Sequence, residues 1–364
     1  MTIAADLDLV SLAAFDASSA AGFDGHEQVA LVRHARSGLH AVVAIHSTHL
    51  GPAAGGVRRW AYASEGEALT DALRLSRGMS YKNAMAGLAA GGGKAVVIAG
   101  APKTDALLQA FGDAVAQLGG RYVTAEDVGM TDADMVVVAQ RTAHVAGLPA
   151  AAGSVGGNPG PFTARGVLAG LRAAVRHKLG RDDLAGLHIA VQGVGSVGGA
   201  LARALAGAGA RLTLADLDPA RAAALAADLG AVHVPVAEIM AVAADVFSPN
   251  GMGAILTEHS IAALDVAVVA GAANNQLATA ADGARLAARG ILYAPDYVIN
   301  AGGIISVVAE YLAATHGKPA ALGEVNAQVD AIGPRLSQLF ADADAQGLAT
   351  DVVADRTAQM LIGR

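Results

Sequence analysis

The sequence predicts an α/β protein of two domains, the second built on a doubly wound parallel sheet. Three observations lead there. At 364 residues the chain is longer than one compact domain usually holds. Through its second half, short apolar segments alternate with helical ones, the pattern of parallel strands joined by right-handed crossovers. Between the halves, Pro149–Pro161 (PAAAGSVGGNPGP) departs from its surroundings in composition and reads as a linker or hinge. The expected boundaries are 1–152 plus a C-terminal helical segment at about 335–364 for the first domain, and 153–334 for the second, with a second crossing near 320–335.

The elements justify this in order. Leu39–His46 (LHAVVAIH) is an apolar run of strand length. Glu65–Arg77 carries Ala68, Leu69, Ala72 and Leu73 at helical spacing. Lys94–Ala99 is a short buried strand, and Arg121–Thr124 another. Thr104–Leu118 is a helix with Asp105 in its first turn, and Thr131–Ala139 opens on a Thr-Asp-Ala-Asp cap. After the linker come a helix at Thr163–Lys178 and strands at His188–Gln192, Arg211–Ala215, Val232–Val236, Ala244–Phe247, Val266–Ala270 and Ile291–Tyr293. Leu322–Leu361 is helical, with breaks expected at Gly333-Pro334 and Gly347.

Composition removes several functions. The formal charge is −7 with no basic cluster, so no nucleic-acid groove is expected. With no cysteine, disulfides and thiolate metal sites are excluded. The histidines are scattered, and although His46 and His49 are close, no carboxylate recurs at ligand spacing, so no metal is expected. No long uncharged apolar run suggests a membrane span, and MTIAADLDLV carries Asp where a secretory leader carries Lys or Arg. The expectation is a cytoplasmic protein. Trp60 reads as a packing residue.

Two regions carry chemistry. In HIAVQGVGSVGGALARAL (188–205), a strand runs through Gly193, Val194, Gly195, Ser196, Val197 and Gly198 into a helix. Gly193 permits the tight turn, Gly195 lets the backbone approach a pyrophosphate, and Gly198 lets helix and strand pack. The helix N-terminus offers unpaired N–H groups to phosphate oxygens. This is the fingerprint of a Rossmann-type dinucleotide site. The next strand ends at Asp216, 18 residues past Gly198, where a carboxylate accepts from a ribose 2′-OH and repels a 2′-phosphate, so NAD is expected over NADP.

The second region lies in the first domain. Gly51–Gly56 (GPAAGG) reads as a rigid loop with exposed backbone, Lys82 sits on a helix, Lys94 follows three glycines at the mouth of a strand, and Asp127 follows another strand. A lysine at an apolar site loses proton affinity by desolvation and serves as a base near neutral pH, while one that stays charged holds a carboxylate.

These segments resemble the Glu/Leu/Phe/Val dehydrogenases, and among them the leucine and valine enzymes. The matching pieces are LGPAAGG (50–56), RGMSYKNAMAG (77–87), GGGKAV (91–96), GRYVTAEDVG (120–129), GNPGPFTARGV (157–167), GVGSVG (193–198), VAGAANNQLA (269–278) and GILYAPDYVINAGGII (290–305), in family order over nearly the whole chain. The resemblance implies an N-terminal α/β domain for substrate and oligomerisation, an NAD-binding domain, and reversible NAD-dependent oxidative deamination of an L-amino acid to a 2-oxo acid and ammonia. It makes Lys94 the base that activates water, Asp127 the acid that exchanges protons with the amine, and Lys82, with the Gly55 and Gly56 backbone, the holder of the substrate carboxylate. Asn274 is implied to touch substrate or the nicotinamide ribose, and Thr163 the nicotinamide amide. Glu126 reads as structural. A homo-oligomer built through the first domain is implied.

Side-chain pocket positions implied by the family are Ala54, Met79, Ala125, Ile304 and Val307, all apolar. An unpaired carboxylate there is costly, which disfavours glutamate, and Ala125 with β-branched Ile304 narrows the pocket toward leucine, valine or isoleucine. Ala54 stands where leucine dehydrogenases usually carry Leu and opens space. Ser248-Pro249-Asn250 departs from the family's usual Ala-Pro-Cys. Two alternatives remain, a phenylalanine-type dehydrogenase and a catalytically silent NAD-binding amino-acid sensor. The joint presence of Lys82, Lys94 and Asp127 argues against the second.

Overall fold

The computed structural model describes residues 10–149, 155–317 and 320–364. The chain divides into two units. The first comprises residues 1–158, Ile304–Leu322 and Ala358–Arg364, and the second Pro159–Gly303 and Gly323–Thr357. The C-terminal region is thus apportioned differently from the expectation. Residues 335–357 go with the second unit, and a stretch near 304–322 returns to the first. Of the expected hinge at Pro149–Pro161, residues 150–154 lie outside the described residues.

The first unit is a seven-stranded mixed sheet. Its strands are β1 (Ser11–Ala14), β2 (Gln28–His34), β3 (Leu39–Ser47), β4 (Ala53–Ala54), β5 (Val57–Trp60), β6 (Gly91–Ile98) and β7 (Tyr122–Val123). They run β1-β2-β3-β6-β4-β7, with β5 also on β6. The β1–β2–β3–β6 pairs are antiparallel, whereas β4 and β5 lie parallel to β6. β3 and β6 are covered on both faces, which is why both read as continuous apolar runs. Val43 and Ile45 face a core with Leu107, Phe111 and Val115 of helix α2 (Asp105–Gln117), while Val42 and Ala44 face Ala68, Leu69, Ala72 and Leu73 of helix α1 (Glu65–Met85). Ser64 caps α1 by accepting from the Glu67 N–H, Thr104 caps α2, and Thr131 forms a capping box with Asp134 on α3 (Asp132–Ala139).

Helix α1 runs eight residues beyond the expected Arg77 and so carries Met79 and Lys82 within it. Gly78 does not stop it, because a single glycine costs only about 1 kcal/mol and the rest of the face stays buried. The expected strand at Lys94 begins three residues earlier, at Gly91. A Cβ on Gly91 would lie 1.9 Å from the Ser47 carbonyl oxygen, and one on Gly92 2.0 Å from the Ser80 nitrogen of α1. The glycines are required by close approach, so they belong to the strand. Gly51–Gly56 is not the expected exposed loop either: Ala53 and Ala54 form the buried strand β4 between β6 and β7. Trp60 is 56% exposed and does not pack as expected.

In the second unit, β8 (His188–Gln192), β9 (Arg211–Ala215), β10 (Val232–His233), β11 (Val246–Pro249), β12 (Val268–Val269) and β13 (Leu292–Tyr293) form a wholly parallel sheet in the order β10-β9-β8-β11-β12-β13. This is the doubly wound order with its switch point between β8 and β11. Its helices are α4 (Gly160–Leu179), α5 (Ser196–Gly207), α6 (Pro219–Leu229), α7 (Glu258–Ala263), α8 (Ala281–Ala288) and α9 (Asp296–Ile299); the chain then passes through α10 (Gly302–His316), nearly all of it in the first unit, to α11 (Leu322–Asp330), α12 (Ile332–Gln346) and α13 (Thr350–Leu361). The break expected at Gly333-Pro334 falls at Ala331 instead, since Pro334 is tolerated in the first turn of α12. Gly347 ends that helix with φ +63°. Among the described residues no helix is long and apolar enough to cross a membrane.

Gly92→Ala should drive its methyl group into the α1 backbone. The expected loss is about 3 kcal/mol or more, the upper range for overpacking, read as a lowered midpoint in urea unfolding.

Candidate active site

Lys94 is the first residue of β6 with a side chain, and it is 5% exposed. Its Nζ lies 2.7 Å from Asp127 Oδ2. Asp127 reaches it from the turn after β7, where the 122–128 segment runs beside β4 and β5: the N–H groups of Gly55, Val57 and Arg59 donate to the carbonyls of Val123, Ala125 and Val128. Burial lowers the proton affinity of Lys94, opposed by Asp127. Burial alone would raise the Asp127 carboxyl, but the Lys94 ammonium and the Arg58 guanidinium outweigh it and hold Asp127 below the ordinary carboxylate value. A proton can therefore be exchanged between these two groups and a molecule beside them.

The glycines at 55 and 56 sit against this pair. A Cβ on Gly55 would lie 1.8 Å from the Gly93 carbonyl oxygen and 3.1 Å from Met79 Cγ, and one on Gly56 would lie 3.0 Å from Asp127 Cβ. The Tyr122 hydroxyl donates to the Gly55 carbonyl at 2.6 Å. Asn83, fully buried next to Lys82, donates from Nδ2 to the carbonyls of Gly91 (2.6 Å) and Ala54 (3.3 Å) and so ties α1 to both strands. Lys82 is partly exposed on the same helix. Beside these groups lies an apolar recess of about 340 Å³, counting its open mouth, lined among others by Pro52, Ala54, Gly55, Ala125, Val307 and Tyr311. Of the five expected pocket residues, Ala54, Ala125 and Val307 line it, while Met79 and Ile304 do not. Glu126 is half-buried, and burial raises its carboxyl.

The second unit carries the other group of expected residues. Gly193 has φ +85°, and a Cβ on Gly198 would lie 1.9 Å from the Gly193 carbonyl oxygen. Gly195 is exposed, with open space where a Cβ would stand, and α5 begins there without a side-chain cap. That cradle of bare backbone at a helix N-terminus fits a pyrophosphate. Val194 and Gly198 are buried, and Ser196 is exposed and Val197 half-buried on the opening turn of α5. Asp216 directly follows β9, and its Oδ2 accepts from the Val194 N–H at 2.7 Å and its Oδ1 from the Asp218 N–H at 2.9 Å. The Thr163 hydroxyl donates to the Pro159 carbonyl, and Asn274, exposed, accepts from Asn300 Nδ2 at 2.9 Å. Asn250, the departure from the family pattern, serves the backbone. Its Oδ1 accepts from the Ala272 N–H and its Nδ2 donates to the Ser248 carbonyl, fastening the end of β11 to the turn that precedes Asn274.

Comparisons with known proteins match both units of the chain. A family model described as the Glu/Leu/Phe/Val dehydrogenase dimerisation domain matches residues 26–144, and one described as Glutamate/Leucine/Phenylalanine/Valine dehydrogenase matches residues 220–353. The chain is 44% identical over 337 residues to leucine dehydrogenase of Thermoactinomyces intermedius, covering 92% of this chain and 90% of that one. The chain belongs to the Glu/Leu/Phe/Val dehydrogenase family. It is also similar to valine dehydrogenase of Streptomyces virginiae, at 45% identity over 341 residues, 92% of this chain and 93% of that one. The crystal structure of L-tryptophan dehydrogenase from Nostoc punctiforme matches with a TM-score of 0.81 at 42% identity, covering 93% of this chain and 96% of that one. As a family member the protein is an amino-acid dehydrogenase, an oxidoreductase acting on a CH–NH2 group of a small molecule with a nicotinamide dinucleotide, NAD or NADP.

Several residues around the Lys94–Asp127 pair have no clear signature in the sequence. Arg58 on β5 also reaches Asp127, and Asn83, Tyr122 and Tyr311 hold or line the site. Asn83, next to Lys82 in a helix expected to stop at Arg77, is the one with a local signal. His46 is buried between Ser80 Oγ (2.7 Å) and Arg364 Nη1 (2.8 Å); burial, with Arg364 and His26, pushes it down to about 4, so it stays neutral. Among the described residues no group of three or more His, Asp or Glu is arranged to hold a metal ion.

Asn83→Asp should replace a two-carbonyl donor with a carboxylate facing those carbonyls. The ionised form costs about 3 kcal/mol or more. Its folded pKa then lies above the unfolded value, so stability is retained at low pH and lost as pH rises through the folded pKa. Urea midpoints measured from pH 4 to pH 8 check the sign.

Proposed function

We propose that this dehydrogenase carries out the NAD-dependent, reversible oxidative deamination of a branched-chain L-amino acid, leucine, valine or isoleucine, to its 2-oxo acid and ammonia. The observation that carries the reading is the buried Lys94–Asp127 pair set beside an apolar recess. Lys82 and the Gly55–Gly56 backbone hold the substrate α-carboxylate, and Ala54, Ala125 and Val307 receive the side chain, with Met79 and Ile304 contributing from outside the recess. Among the described residues, no charged side chain lines the recess to meet a side-chain carboxylate. A nicotinamide ring, when bound, supplies the hydride acceptor.

Hydride loss from the substrate Cα leaves a cationic iminium. Asp127 stabilises it through charge, and neutral Lys94 avoids repelling it. Lys94 takes a proton from the water whose oxygen adds to the iminium carbon. That proton passes from Lys94 through Asp127, 2.7 Å away, to the nitrogen, the C–N bond breaks, and ammonia leaves as Lys94 takes the hydroxyl proton and the carbonyl forms.

Gly193, Val194, Gly195, Ser196, Val197 and Gly198 cradle the pyrophosphate. Thr163 and Asn274 attend the nicotinamide end. The NAD preference rests on Asp216, whose carboxylate is fixed by two backbone N–H groups at the end of β9 and repels a 2′-phosphate. A homo-oligomer formed through residues 26–144 is supported by the dimerisation-domain match. A phenylalanine-type preference is the second reading, favoured by small Ala54 and by the likeness to a tryptophan dehydrogenase.

Reduction of NAD or NADP by purified protein with a panel of L-amino acids tests the substrate class. Leucine, valine and isoleucine should lead, and a higher kcat/KM for phenylalanine or tryptophan would install the second reading. Asp216→Ser should weaken NAD use and admit NADP, and equal use of both by the unaltered enzyme would overturn the NAD reading. Lys94→Ala should lower kcat by ~100-fold or more, whereas Lys82→Ala should act mainly through KM.

A further inference from the structure

The Lys94–Asp127 pair carries a second cation. Arg58 Nε donates to the same Asp127 Oδ2 at 3.2 Å, and Arg58 Nη1 donates to Asp71 Oδ2 at 3.0 Å. The Tyr62 hydroxyl donates to that same Asp71 oxygen. Arg58, Asp127 and Asp71 are each about a quarter exposed. Four charges of alternating sign thus follow one another, from Lys94 on β6 to Asp127 after β7, Arg58 on β5 and Asp71 on α1. Tyr122 feels the Asp127 charge and Tyr62 those of Asp71 and Arg58, Lys82 lies further along α1 from Asp71, and Glu126 adjoins Asp127 in the chain.

A base that begins the reaction as a neutral amine removes one positive partner from Asp127. Leaving a largely buried carboxylate unpaired is costly. An arginine does not give up its proton in a protein, and its planar fork addresses two carboxylates at once. We infer that Arg58 is a positioning residue for the acid–base pair: by bridging Asp127 to Asp71 it keeps Asp127 paired and in place in both protonation states of Lys94. The inference rests on the reading of Lys94 as the base. The direction of the electrostatics agrees, since Arg58 adds to the lowering that burial imposes on Lys94, while Asp127 and Asp71 oppose it.

The experiment is the pH dependence of kcat/KM for wild type, Arg58→Gln, Arg58→Lys, Asp71→Asn and Lys94→Ala, with thermal melts to establish folding. Titration of Lys94 is followed in parallel by NMR of 13C-labelled lysine without substrate. Activity falls as pH drops and Lys94 takes up its proton. In Arg58→Gln this acidic limb should move to higher pH, so that below it activity falls about tenfold more than on the plateau, with kcat affected more than KM. Asp71→Asn should move the limb to lower pH, and Arg58→Lys should return it toward wild type. The NMR midpoint should move in the same directions. A uniform loss at every pH, with limb and midpoint unmoved, would overturn the proposal. Should Arg58→Gln not fold, Asp71→Asn decides, and an unmoved limb overturns it. Wild-type turnover in Lys94→Ala would instead remove the base reading itself, a failure recognised without any change at residue 58.

Discussion

The site depends on a stretch of strand without side chains. At Gly91, Gly92 and Gly93, β6 is pressed by the Ser47 carbonyl, the α1 backbone at Ser80 and the Tyr122 ring, and a Cβ at any of the three would lie within 3 Å of one of them. Because the strand enters bare, β3 and α1 close onto it, and Lys94 emerges directly into a space that water hardly reaches. The same closeness brings the carbonyls of Ala54 and Gly91 within reach of the Asn83 amide. Backbone proximity, more than side-chain packing, sets the positions of Lys94, Met79 and Lys82.

Placing an ammonium in such a space is unfavourable unless an anion comes with it. The chain supplies Asp127 by running 122–128 parallel to β4 and β5, so the register that fixes the Gly55 backbone also fixes the carboxylate. Pairing of this kind contributes little to net stability once desolvation is counted. Its consequence is chemical, because two groups of shifted proton affinity are held in contact beside an apolar wall. In the second unit bare backbone recurs around Gly195, there with open space in place of a neighbouring strand.

Much of this is legible in the sequence, and the exceptions have physical causes. β8 and β9 can be bounded to the residue because each is an apolar run ending at a turn-forming residue, Gly193 or Asp216. The alanine-rich β1, on the sheet edge, and the two-residue β4 offer no periodicity, and in β2 only the four residues Val29–Val32 are apolar, between polar ends. Lys94, Asp127 and Asp216 stand out through short local patterns. Arg58 does not, because its partners Asp71 and Asp127 come from distant parts of the chain and only the sheet brings them together. Asn250 is visible as an oddity, and its reason lies in a backbone N–H 22 residues away.

The recess is walled by two parts of the chain that are far apart in sequence. Val307 and Tyr311 on α10 line it, and Glu310 on the same helix accepts from the N–H groups of Gly147 and Leu148. All belong to the first unit, yet the whole of Pro159–Gly303 lies between them. On a ribosome adding about 5–20 residues per second, the N-terminal sheet waits roughly ten seconds for its missing wall. Through that interval Ala54 and Ala125 face an unfinished cavity and Gly147 and Leu148 lack their acceptor. The recess therefore closes only after the strands and glycine loop of the second unit have been made, and order of synthesis becomes order of assembly.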